Sequence, residues 1–257
     1  LFVEGSAIEH RNENNSSPIF KGHVLVADDN PVNREVATEI LIYLGLTVDT
    51  ANDGQQALNA FDKTSYDLIF MDCHMPELDG LQATQSIREH EVSLNKEIST
   101  PIIALTANVL AKTDHQHLDA GMNGYLGKPF TINEMIHILR DWLPVVGEKE
   151  ARESIEATSK PDTSLADEVS EVIEIKVLDA LREIQQPGQN DLISRVIQIY
   201  LQDSPTHIQT ITQGLLNNDA EAILRATHSM KSISAHVGAM SLSELCKDLE
   251  RLTKTGI

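Results

Sequence analysis

Acidic residues follow two of the short apolar runs in this sequence. Asp28 and Asp29 come directly after the run His23–Ala27, and Asp72 comes directly after Leu68–Met71. The Met-Pro and Asp-Gly pairs that follow Asp72 indicate a loop, so Asp72 is predicted to lie at the carboxyl end of a buried strand. Open α/β sheets place their chemistry at this end of the strands. An acid here could also cap the next helix, and Asp72 alone does not separate the two interpretations.

A hydroxyl group and an ammonium group follow two further apolar runs. Thr106 comes after Pro101–Leu105, and Lys128 comes shortly after Asn123–Leu126. Each could be ordinary on its own, as a capping threonine or a surface lysine. If the runs are parallel strands, however, both side chains lie at the same edge of the sheet as the three acids.

Three carboxylates at one edge of a sheet repel one another unless a cation neutralises them. Because all of the ligands are oxygens, the group favours Mg²⁺ or a similar hard divalent ion over zinc. With Thr106 and Lys128 beside it, this group predicts a phosphoryl site. In such a site Asp72 attacks phosphorus in line, while the metal and Lys128 neutralise charge on the phosphoryl oxygens.

The elements that would position these side chains alternate between strand and helix patterns from residue 22 to residue 143. Five apolar runs are candidate strands, and a pattern such as Val32, Val36 and Ile40 places apolar side chains on one face of a helix. Strict alternation is typical of a doubly wound α/β domain, with a five-stranded parallel sheet between two layers of helices. We therefore predict one such domain over residues 22–143.

Polar segments flank this domain, and a different pattern follows it. Residues 1–21 are predicted to be a linker, and residues 144–172 a flexible acidic linker. Residues 173–257 show only helical spacing and predict an antiparallel helix bundle. The helical stretches lie at about 175–185, 190–217 with a break near Pro205, 219–237 and 241–254.

The composition argues against several classes of protein. The net charge of −19 argues against a nucleic-acid-binding surface and against contact with an anionic membrane. Cys73 and Cys246 form no CxxC pair, so we expect a reducing compartment and no structural zinc site. We find no apolar stretch long enough for a bilayer and no Gly-rich nucleotide loop. Since the sequence also lacks an initiator Met, we expect a fragment of a longer protein, without its ATP-binding kinase domain.

The α/β domain resembles the response-regulator receiver domain. The resemblance rests on Asp28-Asp29-Asn30, on Asp72 with Met75-Pro76-Glu77-Leu78-Asp79-Gly80, on Thr106-Ala107 and on Lys128-Pro129. It implies that Asp72 is the phosphoacceptor. It also implies a set of Mg²⁺ ligands, namely Asp28, Asp29, Asp72 and the backbone carbonyl of His74.

The same resemblance implies roles for the other strand ends. Thr106 and Lys128 would contact the phosphoryl oxygens. Tyr125 matches the aromatic residue that turns inward with Thr106 on phosphorylation. The resemblance further implies a cis peptide bond between Lys128 and Pro129, which proline makes accessible.

One histidine in the helical half has neighbours that suggest chemistry. On a helix, His228, Lys231, Ser232 and Ala235 share a face, which the pattern places in solvent. A neutral imidazole is a nucleophile towards an acyl phosphate near pH 7, and Lys231 could meet the phosphate. An exposed histidine taken by itself is more often an ordinary polar surface residue.

The stretch around His228 resembles the histidine phosphotransfer (Hpt) domain and its His-x-x-Lys-Gly motif. The match covers about residues 175–254 and implies that His228 is a phosphoacceptor supported by Lys231 and Ser232. Ser232 stands where the family usually has Gly. The resemblance also implies one more bundle helix after Gly256, so we expect residues 173–257 to be an Hpt domain truncated at that helix.

A receiver followed by an Hpt domain resembles the C-terminal region of a hybrid sensor histidine kinase. This implies a phosphorelay in which Asp72 receives a phosphoryl group from a kinase histidine and passes it to His228. The implied partners are the upstream kinase domain and a downstream response regulator, and the implied location is the cytoplasm, with the longer protein anchored in the inner membrane. Two alternatives stay open: a phosphate sink, and a non-catalytic switch that regulates the upstream kinase.

Overall fold

The protein is described from a computed structural model, which covers residues 17–95, 97–106, 116–149, 173–185 and 191–255. In these residues a parallel sheet with helices on its faces is followed by four helices that pack together and against it. No helix in the described ranges has both the length and the apolar character needed to cross a membrane.

Between residues 22 and 143 the elements alternate between strand and helix, as the sequence pattern predicted. The strands are β1 (Ser17–Phe20), β2 (His23–Ala27), β3 (Thr47–Ala51), β4 (Leu68–Asp72), β5 (Ile102–Thr106), β6 (Gly124–Gly127) and β7 (Val145–Lys149). The helices are α1 (Pro31–Tyr43), α2 (Gly54–Phe61), α3 (Gly80–Ser93), α4 (Gln116–Asp119), α5 (Ile132–Trp142), α6 (Ile175–Ile184), α7 (Leu192–Asn217), α8 (Ala220–His236) and α9 (Met240–Thr255).

Five strands form the central parallel sheet, in the order β3-β2-β4-β5-β6. The predicted doubly wound α/β fold of the first half is therefore confirmed. Every residue of β4 is buried. This explains why β4 appears in the sequence as an unbroken apolar run, since both faces of the sheet are covered. The sheet reverses its direction of winding between β2 and β4, so their carboxyl ends border one crevice.

Short polar side chains fix where the helices of this half begin. Asn30 caps α1 by accepting from the backbone N–H groups of Val32 and Asn33. Asp79, from the Asp-Gly pair after Asp72, caps α3 in the same way. These caps satisfy backbone N–H groups that have no partner within the helix. The loops that carry Asp28 and Asp72 are thereby held between a strand end and a capped helix start.

A second, two-stranded sheet departs from the sequence prediction. β1 pairs with β7 in antiparallel register, from Ser17 opposite Lys149 to Phe20 opposite Val145. Both strands fall in segments predicted to be linkers, and for these residues the linker prediction is wrong. Phe20 is 1% exposed and belongs to the core, which gives the segment a reason to be ordered. The remainder of the two predicted linkers, residues 1–16 and 150–172, lies outside the described residues.

The second half is a helix bundle, as predicted. α8 lies between α7 and α9 and packs against both. The predicted break near Pro205 is wrong, because α7 continues through Pro205 to Asn217. An apolar groove of about 210 Å³ is open between these three helices and is lined by Ile208, Leu245 and Leu249, among others. The expected helix after Gly256 concerns residues that the structure does not describe.

The two halves share one apolar core. α1 packs against α6, α7 and α8. Val36 and Ile40 of α1 belong to the same buried cluster as Val196 of α7 and Ile233 of α8, and all four are at most 3% exposed. Because this contact removes apolar surface of both halves from water, it holds the helix bundle in one position over the edge of the sheet.

Candidate functional site

Three carboxylates meet at the carboxyl edge of the central sheet. Asp28 and Asp29 follow β2, Asp72 ends β4, and one oxygen from each lies within 4.8 Å of the others. Asp28 and Asp72 are buried, while Asp29 is half-buried. The structure therefore brings together the three acids that the sequence placed in one site.

The ammonium group of Lys128 lies between two of these acids. Lys128 Nζ is 2.6 Å from Asp28 Oδ2 and 2.7 Å from Asp72 Oδ2, and all three side chains are at most 3% exposed. Burial alone would lower the pKa of Lys128, but the charges of Asp28 and Asp72 raise it above its ordinary value. Lys128 is thus a buried cation that partly neutralises the site. Its peptide bond with Pro129 is cis, as the resemblance implied.

The remaining negative charge fits a divalent cation. Burial raises the pKa of Asp72 to about 6, against the opposing effect of Lys128. Burial, followed by the charge of Asp28, also raises the pKa of Asp29 to about 6. Three acids with one lysine therefore keep an unfavourable excess of negative charge when they are ionised. Since the donors are all oxygens, Mg²⁺ matches the chemistry of this group.

The other predicted residues of the receiver half lie around the same edge. Thr106 ends β5, next to β4, and its carbonyl accepts from the backbone N–H of Lys128 at 2.7 Å. The backbone N–H of His74 donates to Asp72 Oδ1 at 3.2 Å. Tyr125 lies on β6 with its side chain turned outward, 48% exposed and in edge contact with the ring of His117.

His228 faces the receiver half rather than solvent. Its side chain is 22% exposed, and its ring lies edge-on to the ring of His74, with 5.7 Å between the ring centroids. The expectation of a solvent-exposed face is therefore wrong, because that face of α8 packs over the site that contains Asp72. A positive charge on His228 acts to lower the pKa of Asp72, against the larger effect of burial.

Glu250 of α9 contacts the side chains of both His228 and Lys231, two residues that the sequence placed on one face of α8. Its Oε1 lies 3.0 Å from His228 Nδ1, and its Oε2 accepts from Lys231 Nζ at 2.6 Å. Burial would raise the pKa of Glu250, but the hydrogen bonds from His228 and Lys231 lower it to about 2. A charged Glu250 selects the His228 tautomer that carries hydrogen on Nδ1. Nε2 then keeps its lone pair, and it has no hydrogen-bond partner among the described residues.

Lys231 and Ser232 lie deeper than their predicted supporting role suggested. Lys231 is 7% and Ser232 is 1% exposed. In this arrangement Lys231 contacts Glu250, which in turn contacts His228. Sequence reasoning missed Glu250, although one signal was available: it is a charged residue at helical spacing from Ser243 and Cys246, on the buried face of α9.

A chain of hydrogen bonds joins the two halves beside the acid cluster. His236, near the end of α8, lies 3.2 Å through Nδ1 from Asn33 Oδ1, and Asn33 Nδ2 donates to Asp28 Oδ1 at 3.2 Å. The ring of Phe130 covers His236 at 5.0 Å between centroids. Burial lowers the pKa of His236 to about 4, so the ring is neutral near pH 7. Sequence reasoning missed this contact because nothing in the local pattern links residues 203 positions apart.

Comparison with known proteins matches the two halves of the chain to two different families. Residues 24–140 match the family model of the response regulator receiver domain, and residues 195–256 match that of the Hpt domain. The sensor histidine kinase GacS of Pseudomonas protegens is 29% identical over 90% of this chain and 24% of its own length. The aerobic respiration control sensor protein ArcB of Escherichia coli is 26% identical over 91% of this chain and 28% of its own length.

A solved structure is similar to the first half alone. It is the receiver domain of the sensor histidine kinase PA1611 from Pseudomonas aeruginosa, with a magnesium ion in its active site cleft. It is 43% identical and covers 48% of this chain and 97% of the solved chain, with a TM-score of 0.43. The present chain spans about a quarter of the length of the two curated relatives.

The sheet with its acid cluster and the bundle with its histidine define two classes of domain in one chain. The first half is similar to the response regulator receiver family and the second half to the Hpt family. The chain as a whole is similar to the receiver and Hpt region of hybrid sensor histidine kinases.

Proposed function

We propose that this chain relays a phosphoryl group from Asp72 to His228 within one molecule. The observation that carries the proposal is the packing of the His228 ring against His74, two residues after Asp72. His228 Nε2, left without a hydrogen-bond partner among the described residues, is the nucleophile in this proposal. Because the two halves share a core, the acceptor is held beside the donor and the transfer needs no encounter between molecules.

Groups of this chain account for the bond that forms, the bond that breaks and the charges that develop in the proposed transfer. The lone pair of His228 Nε2 attacks phosphorus, the bond between phosphorus and the Asp72 oxygen breaks, and its electrons return to the carboxylate. Glu250 keeps its hydrogen bond to Nδ1–H and stabilises the positive charge that develops on the ring. Lys128 and the hydroxyl of Thr106 stabilise charge on the phosphoryl oxygens. Asp28, Asp29, Asp72 and the carbonyl of His74 would hold Mg²⁺, which supplies further positive charge when bound.

The partners are proposed from the same chemistry. A phosphohistidine of an upstream kinase domain would load Asp72, and the receiver of a downstream response regulator would accept from His228. We place this exchange in the cytoplasm, where an ATP-dependent kinase finds its nucleotide. Support comes from the hybrid kinases that are similar to this chain.

The test uses the whole chain with Mg²⁺ and a radiolabelled phosphorylated kinase. We expect label on wild type that survives base and is lost in acid, as an N-linked phosphoryl group would be. Asp72→Asn should take up no label, and His228→Gln should carry only base-labile label on Asp72. Base-labile label on wild type, released as phosphate without reaching His228, would reject the relay and favour a phosphate sink.

A second candidate is a non-catalytic switch. The outward position of Tyr125 favours it, since a turn inward with Thr106 would alter an exposed face of β5 and β6. The same variants separate the two functions. His228→Gln abolishes the relay but leaves a switch that depends on Asp72 intact.

A further inference from the structure

One arginine of the Hpt half reaches across to the first helix of the receiver. Arg195 lies on the first turn of α7, and its Nη2 atom is 2.5 Å from Glu39 Oε1 and 3.2 Å from Glu35 Oε1. Glu35 and Glu39 are one turn apart on α1, so a single guanidinium group meets two carboxylates. The carboxylates that neutralise Arg195 therefore belong to the receiver half.

Because this ion pair is partly buried, its stability depends on which side chain faces Arg195. The side chain of Glu39 is 8% exposed and that of Arg195 is 35% exposed. Leu192 and Val196, on either side of Arg195 in the chain, are fully buried in the shared core. A carboxylate held in such surroundings without its cation is destabilising, and so are like charges brought together there.

A second charge relation along the same two helices has the opposite polarity. Burial lowers the pKa of Arg34 on α1, while the carboxylates of Asp28 and Asp29, and after them that of Asp203 on α7, act to raise it. Asp203 therefore adds an attraction between the halves to the two ion pairs of Arg195. Opposite charges at two places along α1 and α7 favour one orientation of the contact.

We propose that Arg195 selects the receiver with which this Hpt domain exchanges phosphoryl groups. The receiver that fits carries two carboxylates four residues apart on its first helix, at the positions that Glu35 and Glu39 occupy here. This inference rests on the proposed relay for its functional meaning. The docking that it describes can be measured without any phosphoryl transfer.

The first experiment reverses charges in the whole chain. Arg195→Glu sets three acids against one another, whereas Arg195→Glu combined with Glu39→Arg keeps the same three charges and redistributes them. Arg225→Glu is the matched control, because Arg225 is exposed and pairs with Glu221 of its own helix. Small-angle X-ray scattering reports whether the halves stay docked, and label introduced on Asp72 from ³²P-acetyl phosphate reports the rate of transfer to His228.

We expect Arg195→Glu to separate the halves and to slow transfer by at least about tenfold. The double variant should restore the docked dimensions and bring the rate within about threefold of wild type, and Arg225→Glu should change neither. A docked Arg195→Glu chain that transfers at the wild-type rate would overturn the proposal. If wild type docks but transfers no label, the relay fails, and the scattering of the variants still decides the role of Arg195.

A second experiment tests selection between molecules. A donor chain with His228→Gln can be loaded only on Asp72, and an acceptor chain with Asp72→Asn can receive only on His228. We expect an acceptor with Arg195→Glu to receive label from a donor that also carries Glu39→Arg at least about tenfold faster than from a donor with native Glu39. Equal rates from both donors would show that position 195 does not select its partner.

Discussion

Two buried acids of this protein have pKa values that move in opposite directions. Burial raises the pKa of Asp72 to about 6, although Lys128 opposes this effect. Glu250 is also desolvated, yet its hydrogen bonds from His228 and Lys231 bring its pKa to about 2. The difference suits their proposed tasks. Asp72 is proposed to form and break a bond to phosphorus, whereas Glu250 is proposed to stay charged and fix the ring of His228.

Glu250→Ala should damage both stability and transfer. It removes the partner of His228 Nδ1 and leaves Lys231 buried without its counter-charge. We expect a loss of about 3 kcal/mol in unfolding free energy and a transfer rate at least about tenfold lower. Urea unfolding and the rate of label movement from Asp72 to His228 measure the two effects.

Two further variants sharpen this test. Glu250→Gln keeps an acceptor for Nδ1–H and should fall between wild type and Glu250→Ala. Glu244→Ala removes an exposed acid from the same helix, which pairs with Lys247 at 3.1 Å, and should be neutral. ¹⁵N spectra of the His228 ring that show the same tautomer in wild type and Glu250→Ala would contradict the role given to Glu250.

Functional residues could be predicted where they follow a recognisable pattern in the sequence. Asp28, Asp72 and Lys128 each follow an apolar run, so the position of the run places the side chain at the sheet edge. Arg195 and Asn33 carry no such signal. Their contacts join distant segments, and only the docking of one half on the other brings the partners together.

The loop from β4 to α3 is an element whose shape depends on one glycine. A Cβ atom at Gly80 would lie 1.9 Å from the backbone oxygen of Asp72. The start of α3 and the end of β4 can approach this closely only because Gly80 has no side chain. The Asp-Gly pair therefore sets the position of Asp72 as well as the start of α3.

Gly80→Ala should displace the end of β4. We expect a loss of about 2–3 kcal/mol in unfolding free energy, because the clash is with backbone that cannot turn aside. Uptake of label on Asp72 should fall as well. Gly124→Ala is the control, since a Cβ there would meet Ile103 Cδ1 at an ordinary 3.4 Å. If Gly80→Ala and Gly124→Ala unfold at the same urea concentration, the close approach does not matter.

The elements themselves were largely predictable, and the exceptions have physical causes. The inner strands β2, β4 and β5 are apolar because both faces are covered, so their runs stand out in the sequence. β1 and β7 were missed because each is short and partly polar, and each needs the other as its partner. Pro205 suggested a helix end, but the packing of α7 outweighs the one hydrogen bond that proline removes.

At the scale of the whole molecule, the position of the Hpt half over the receiver was beyond prediction from the sequence. Each half shows its own periodicity, but the face that α1 offers to α7 and α8 looks like any amphipathic helix face. The shared core fixes the relative position of two folds that can each be predicted separately. Buried polar groups at the contact make that arrangement sensitive to pH.

Docking should weaken as the pH falls from 7 to 5. Burial against Asn33 and Phe130 lowers the pKa of His236 to about 4, whereas a released histidine titrates at its ordinary value near 6.5. The docked state thus binds fewer protons in this range. The contribution of His236 is complete above about pH 6.5 and falls by about 2 kcal/mol at pH 5.

Scattering profiles at pH 7 and pH 5 measure this effect. His236→Gln should remove most of the pH dependence, because glutamine does not titrate. His137→Gln, at an exposed position of α5, should leave it unchanged. Wild-type dimensions that are the same at both pH values would contradict the role assigned to His236.

The two-stranded sheet also determines how the receiver is joined to the rest of the chain. Ser17 and Lys149 lie opposite each other in β1 and β7, so the chain enters and leaves the receiver at one point. These two points of attachment are separated by the width of one antiparallel pair, about 5 Å, rather than by the width of a domain. The covalent path of the chain therefore enters and leaves the receiver side by side, while the shared apolar core makes a separate, noncovalent connection to the helix bundle.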